Sequence, residues 1–145
     1  MQHDRDRWLA HTDTVLREAG LRAGPGRAAV AEALARGGCL LSVQDILVRL
    51  QDGEALSAST ATVYRTLDLL HEHGLVRRID AGGGVSRYEP VDPSGGDEHQ
   101  HVVLDDGSIE PFSDAELATA MADLGERLGV QITSYELIVH ARRRR

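Results

Sequence analysis

The chain has 145 residues, enough for one ordinary domain or two small ones, and sets 16 arginines and no lysine against 23 acidic side chains for a net charge of −7. That balance excludes nucleic-acid binding through the overall field and confines any such contact to a local arginine patch. The single cysteine, Cys39, excludes an intramolecular disulfide and a Cys-only zinc site, and no apolar run approaches membrane-spanning length.

The charge is unevenly spread. Residues 1–91 hold 11 Arg against 12 Asp and Glu, a net of −1, whereas residues 92–145 hold 5 against 11, a net of −6. The first residues, MQHDRDRW, are too charged for a signal peptide, so a cytoplasmic protein with no membrane contact is expected. With one Phe, one Trp and three Tyr, the cores must be built mainly from Leu, Val, Ala and Ile.

Asp4–Gly20 reads as a helix with Trp8, Leu9, Val15 and Leu16 as its apolar positions and Gly20 as its stop. Pro25 suits the first turn of a second helix, which Gly37-Gly38 ends. Ser42 caps a third, Val43–Leu50, with Ile46, Leu47 and Leu50 turned inward and Gln44 and Asp45 in the first turn.

The stretch Ser57–Val76, SASTATVYRTLDLLHEHGLV, has the clearest punctuation. Ser57 or Ser59 caps its start, and Gly74 sits where a left-handed residue ends a helix. Val63, Leu67 and Leu70 form one apolar stripe that must face a core, while Arg65, Asp68 and Glu72 point away. Ser59, Thr60 and Thr62 put short hydroxyls beside unpaired backbone N–H groups, which suits phosphate oxygens and base edges. Tyr64 and Arg65 add an aromatic hydrogen-bonder and a cation. The layout fits the second helix of a helix-turn-helix, although an ordinary surface helix shares the spacing. Leu75–Asp80 and Val85–Val91 then flank Ala81–Gly84 and predict a hairpin wing.

Asp92–Glu98, DPSGGDE, is a linker by composition. Beyond it, His101–Leu104 and Ser108–Phe112 read as strands across Asp105-Asp106-Gly107. Ser113–Glu116 reads as a capping box, and Leu117, Met121, Leu124 and Leu128 as the apolar stripe of the helix it opens. Val130–Ala141 reads as a last strand with Tyr135, Leu137 and Val139 on one face. The predicted fold is therefore α+β: an N-terminal winged helix-turn-helix DNA-binding domain over 1–91, a hinge over 92–98, and a small β-β-α-β dimerisation domain over 99–145. So small a unit with open sheet edges predicts a homodimer through residues 101–141.

His99 and His101, two apart in an extended strand, place both imidazoles on one face, a chelating pair for Zn, Fe, Mn or Ni, though solvated histidines share the pattern. Glu89 ends the wing and Glu110 lies on the neighbouring strand. No Ser/His/Asp or Cys/His arrangement, phosphate-cradling loop or H-E-x-x-H helix is present, so no enzyme is expected.

The run ATVYRTLDLLHEHGLV at Ala61–Val76 strongly resembles the recognition helix of the ferric-uptake regulator (Fur) family, dimeric metal-responsive winged-helix repressors. The resemblance extends over nearly the whole chain and is eroded after His101. It implies binding to double-stranded inverted-repeat operator DNA, with Ser59, Thr60, Thr62, Tyr64 and Arg65 at the reader and Arg22 and Arg27 on the DNA backbone. Gly24-Pro25-Gly26-Arg27 keeps the arginine of the family's Thr-Pro-x-Arg but loses its hydroxyl. The resemblance also implies one regulatory divalent metal per chain (Fe, Mn, Zn or Ni). Its ligands would be Glu89, His99, His101 and an acid near Glu110, with a further ligand from the loop that here offers Cys39. Ligands from both sides of the linker would fix one angle between reader and dimer domain, and so the spacing of two recognition helices.

Two departures stand out. The family's C-x-x-C pairs fall on Leu104–Gly107 and Arg142–Arg145, so no structural zinc held by four cysteines is expected, and the arginine run reads as a solvated end. A second sensory site falls on Ala118 and Tyr135 and is lost. Two further readings therefore stay open: a metal-independent DNA-binding regulator, and a metal-binding or interaction protein that does not read DNA.

Overall fold

The computed structural model of the protein describes residues 2–22, 24–37, 40–53, 58–80, 83–94, 100–133 and 135–144, and the chain forms two compact units, Met1–Gly96 and Asp97–Arg145. No helix among the described residues is long and apolar enough to cross a membrane.

The first unit runs α1 (Gln2–Glu18), α2 (Pro25–Arg36), β1 (Leu41–Ser42), α3 (Val43–Gln51), α4 (Thr60–Glu72), β2 (Val76–Asp80) and β3 (Ser86–Pro90). Helix α2 starts at Pro25, whose missing N–H would be unpaired in a first turn anyway. A full capping box opens α3: Ser42 Oγ accepts from Asp45 N at 3.1 Å and Asp45 Oδ2 accepts from Ser42 N at 2.9 Å. Helix α4 ends where Gly74 turns left-handed at φ +68, a conformation that costs other residues about 1–2 kcal/mol. Strands β2 and β3 form the expected antiparallel hairpin, with Arg77 opposite Glu89 and Arg78 opposite Tyr88.

One strand was not legible in the sequence. Leu41 and Ser42 pair with Tyr88 and Arg87, so the sheet has the order β1-β3-β2. Two residues carry no period-2 signal, and the strand exists because β3 offers it an open edge. Trp8, Val30, Leu34, Ile46, Val63, Leu67, Leu70 and Tyr88 form one core beneath these elements. Burying each large apolar side chain of this kind contributes about 1.5–3 kcal/mol. Trp8 also donates its indole N–H to the Leu75 carbonyl at 2.9 Å, fastening α1 to the start of the wing.

The second unit contains β4 (Gln100–Leu104), β5 (Ile109–Phe112), α5 (Ala115–Leu128) and β6 (Ile138–Ala141) in sheet order β5-β4-β6. β4 is antiparallel to β5 and parallel to β6. Three sequence expectations are corrected here. Helix α5 is capped by Asp114, which accepts from Leu117 N at 3.0 Å, and not by a Ser113–Glu116 box. Leu128 is exposed at 63 %, while Leu117, Met121 and Leu124 are half-buried. The last strand is only Ile138–Ala141, paired in parallel with His101–Leu104. Tyr135 and Leu137 thus lie outside the strand, and Gln100 Oε1 accepts from Leu137 N at 2.8 Å in place of a strand bond. The arginine run is exposed as expected over 142–144, and two of its side chains make surface ion pairs: Arg143 with Glu110 at 2.8 Å and Asp106 at 3.9 Å, and Arg142 with Asp105 at 3.8 Å.

Trp8→Phe removes the bond to Leu75 and part of the core volume. Urea unfolding followed by circular dichroism should show a loss of about 1–3 kcal/mol with an unchanged m-value. In the β4–β5 turn, Ser108 donates its N–H and hydroxyl to Asp106, and with Arg143 nearby this holds the carboxyl below its usual pKa. A depressed folded pKa contributes stability above the unfolded value and loses it as pH falls through the folded one. A carboxyl NMR titration should find Asp106 protonating below the ordinary carboxylate range.

Candidate DNA-binding and metal sites

Helix α4 turns Val63, Thr66, Leu67 and Leu70 into the core, each 3 % exposed or less. At 100° per residue this forces Tyr64, Arg65 and Asp68 outward, with Tyr64 51 % exposed. The sequence missed Thr66 as a buried position because its hydroxyl breaks the apolar stripe. Ser59 is the N-cap: its Oγ accepts from Thr62 N at 3.1 Å and lies 2.9 Å from Thr62 Oγ1. Thr60 is exposed on the same turn.

Arg22 and Arg27, predicted from the other end of the unit, meet this turn. Arg27 Nη1 donates to the Arg22 carbonyl at 2.6 Å, and Arg22, Arg27, Thr62 and Arg65 line one open cleft of about 400 Å³ floored by Gly24 and Gly26. Six other arginines of this unit pair with carboxylates: Arg5 and Arg36 with Glu32, Arg7 with Asp92, Arg17 with Asp13, Arg77 with Glu89 and Arg87 with Asp45; Arg49 donates to the Gly37 carbonyl and Arg78 bonds Tyr88. Among the described residues no carboxylate pairs with Arg22, Arg27 or Arg65. Beside the helix, burial pushes the Tyr88 phenol above its usual pKa, partly offset by its bond to Arg78, and Tyr64 and Asp68 add to the rise. Tyr88 was absent from the sequence prediction, since a strand tyrosine carries no local mark of lying near the reader.

The expected metal ligands divide differently. Glu89 on β3 is 4 % exposed and accepts from Arg77 Nη1 at 3.4 Å; His101 on β4 is 2 % exposed. They belong to different units. Cys39 and His99 lie outside the described residues. Glu110 is corrected. It stands opposite Val102 in the β4–β5 ladder, so it shares the face of Val102 and not that of His101, and it is bound to Arg143. Among the described residues no group of three His, Cys, Asp or Glu gathers as a metal site. His73 Nδ1 donates to the Leu69 carbonyl at 2.9 Å, an end-of-helix role that needs no metal.

The Ferric uptake regulator family profile matches residues 18–140, most of the chain. The chain belongs to the ferric uptake regulator family. The ferric uptake regulation protein of Shigella flexneri is 30 % identical over 135 residues, covering 91 % of this chain and 88 % of that protein. The crystal structure of the Vibrio cholerae ferric uptake regulator superposes with a TM-score of 0.78 at 27 % identity, covering 90 % of this chain and 98 % of that one. A Pseudomonas aeruginosa ferric uptake regulator with manganese superposes with a TM-score of 0.76 at 27 % identity, covering 92 % and 98 %. As a member of this family the protein is a metal-responsive, DNA-binding transcriptional regulator, a class of transcription factors and not of enzymes.

Ser59→Ala removes the acceptor for Thr62 N. Thermal or urea unfolding should show a loss of about 1 kcal/mol, with helix α4 fraying first in amide exchange.

Proposed function

We propose that the protein is a homodimeric repressor that reads an inverted-repeat operator with α4 and responds to one divalent transition metal per chain. The observation that carries the DNA part is the convergence of Arg22, Arg27 and Arg65, three arginines without a carboxylate, on the hydroxyl-lined first turn of α4. Arg22 and Arg27 hold phosphates and set the register. Tyr64 and Arg65 meet base edges from the outward face, and Ser59, Thr60 and Thr62 supply hydrogen bonds beside the helix N-terminus. A net charge of −7 does not oppose this, because steering at short range depends on unpaired local cations.

For the metal, the reading rests on the chemistry of the donors. Glu89 and His101 are buried carboxylate and imidazole, an oxygen–nitrogen set that suits Fe, Mn, Zn or Ni, and His99 and Cys39 complete the proposed ligands. Glu110 is left out. The manganese in the Pseudomonas aeruginosa structure supports the same reading. A bound metal supplies positive charge and a fixed coordination geometry, and it shifts the DNA-competent population only by its preference for that state. Dimerisation through the second unit is supported by its three-stranded sheet, whose outer strands β5 and β6 each have one neighbour among the described residues, and by the half-buried stripe on α5.

Two experiments test this. Arg65→Ala should weaken operator binding about 5- to 100-fold in a fluorescence-anisotropy titration, as expected for a base-contacting arginine. Metal analysis by mass spectrometry should find one divalent ion per chain, lost in His99→Ala/His101→Ala, with chelator lowering operator affinity. A chelator-insensitive affinity would favour the metal-independent regulator instead.

A further inference from the structure

Gly26 is the second residue of α2, and it stands where that helix passes the first turn of α4. A Cβ at Gly26 would lie 2.9 Å from Thr62 Cγ2, closer than carbon atoms approach without displacement, and an ordinary 3.7 Å from Ala58 Cβ. The backbone angle at Gly26 is not left-handed, so conformation does not require glycine there. Contact does. Thr62 can turn away only by giving up the 2.9 Å contact of its hydroxyl with Ser59 Oγ, the oxygen that also accepts from its N–H. Its rotamer is thus shared between the helix cap and the cleft that it lines with Arg22, Arg27 and Arg65.

We propose that Gly26 is a positioning residue for DNA recognition, whose bare Cα seats the Thr62 methyl and so fixes the first turn of α4 against the arginine cleft. The inference rests on the reading of this face as the DNA reader. A phosphate in the cleft would meet Arg22 and Arg27 from α2 and its approach, and Thr62 and Arg65 from α4, so the separation of the two helices sets whether all four can reach it. The core shared by Val30, Leu34, Val63 and Leu67 sets the overall packing of the two helices, and Gly26 sets how closely they meet at the first turn of α4. A methyl added there must push Thr62 off its cap or move α4 away, and either change spoils the alignment of the reader with the backbone contacts.

The test is a double-mutant cycle on the full-length protein loaded with Mn(II). The probe is a duplex selected by the unmodified protein from a random-sequence pool. Gly26→Ala should weaken binding about tenfold, the size of coupling expected between residues in direct contact. It should also lower the slope of affinity against salt, since phosphate contacts are lost. Thr62→Ser keeps the hydroxyl and deletes the methyl that the new Cβ would strike, so Gly26→Ala should have little effect in that background. Helix propensity alone predicts the opposite for Gly26→Ala, a raised Tm and unchanged binding, and that result overturns the proposal. So does an equal loss with and without Thr62→Ser. Arg65→Ala in parallel separates the two levels: if it weakens binding while Gly26→Ala does not, the reader stands and the positioning role fails. If neither weakens binding, the reader itself is elsewhere and the proposal falls with it.

Discussion

The rest of the first unit depends on the burial of one stripe of α4. Val63, Leu67 and Leu70 have essentially no exposure, and they share a core with Val30 and Leu34 of α2, Ile46 of α3 and Trp8 of α1. A helix anchored along one stripe cannot rotate about its axis without lifting several side chains out of that core, each worth about 1.5–3 kcal/mol. The outward direction of Tyr64 and Arg65 is therefore a consequence of apolar packing on the opposite side. The wing, the α1 anchor through Trp8 and Leu75, and the capped start of α3 all serve to keep that core closed.

Most of this unit was legible in the sequence because local signals and tertiary packing agree there. Pro25, Ser42, Ser59 and Gly74 mark helix ends that the structure places within a residue or so. The two-residue strand β1 and the close approach of Gly26 to Thr62 were not legible, since both arise from contacts between segments far apart in the chain. In the second unit the elements were recognised but their limits were misjudged. Ser113–Glu116 satisfies the pattern of a capping box, yet Asp114, one residue on, has the extended backbone a cap requires. Val130–Leu137 has strand-forming composition, but composition does not say which residues join a ladder, and the one with β4 takes in Ile138–Ala141. The acid at Glu110 fails for a related reason: a ladder's register, which decides the face of every side chain, is not written in the spacing of one strand.

Charge works by subtraction in this protein. Acidic side chains pair with six arginines on α1, α2 and the wing, whereas Arg22, Arg27 and Arg65 line the cleft at α4 with no carboxylate among the described residues paired to them. An acidic chain can thus carry a local group of unpaired cations without an overall basic field.

The ion pairs of Arg142 and Arg143 with Asp105, Asp106 and Glu110 add charge contacts at the end of a sheet already joined by the β4–β5 and β4–β6 ladders. Each such pair is exposed and contributes at most about 1 kcal/mol, weakening as salt screens it. Cys39 is the chain's only cysteine, so residues 97–145 contain no thiol, and Met121 is their one sulfur. Peroxide or a nitrosating agent would find no thiolate to attack in the second unit, so contacts there answer to salt and not to thiol oxidation.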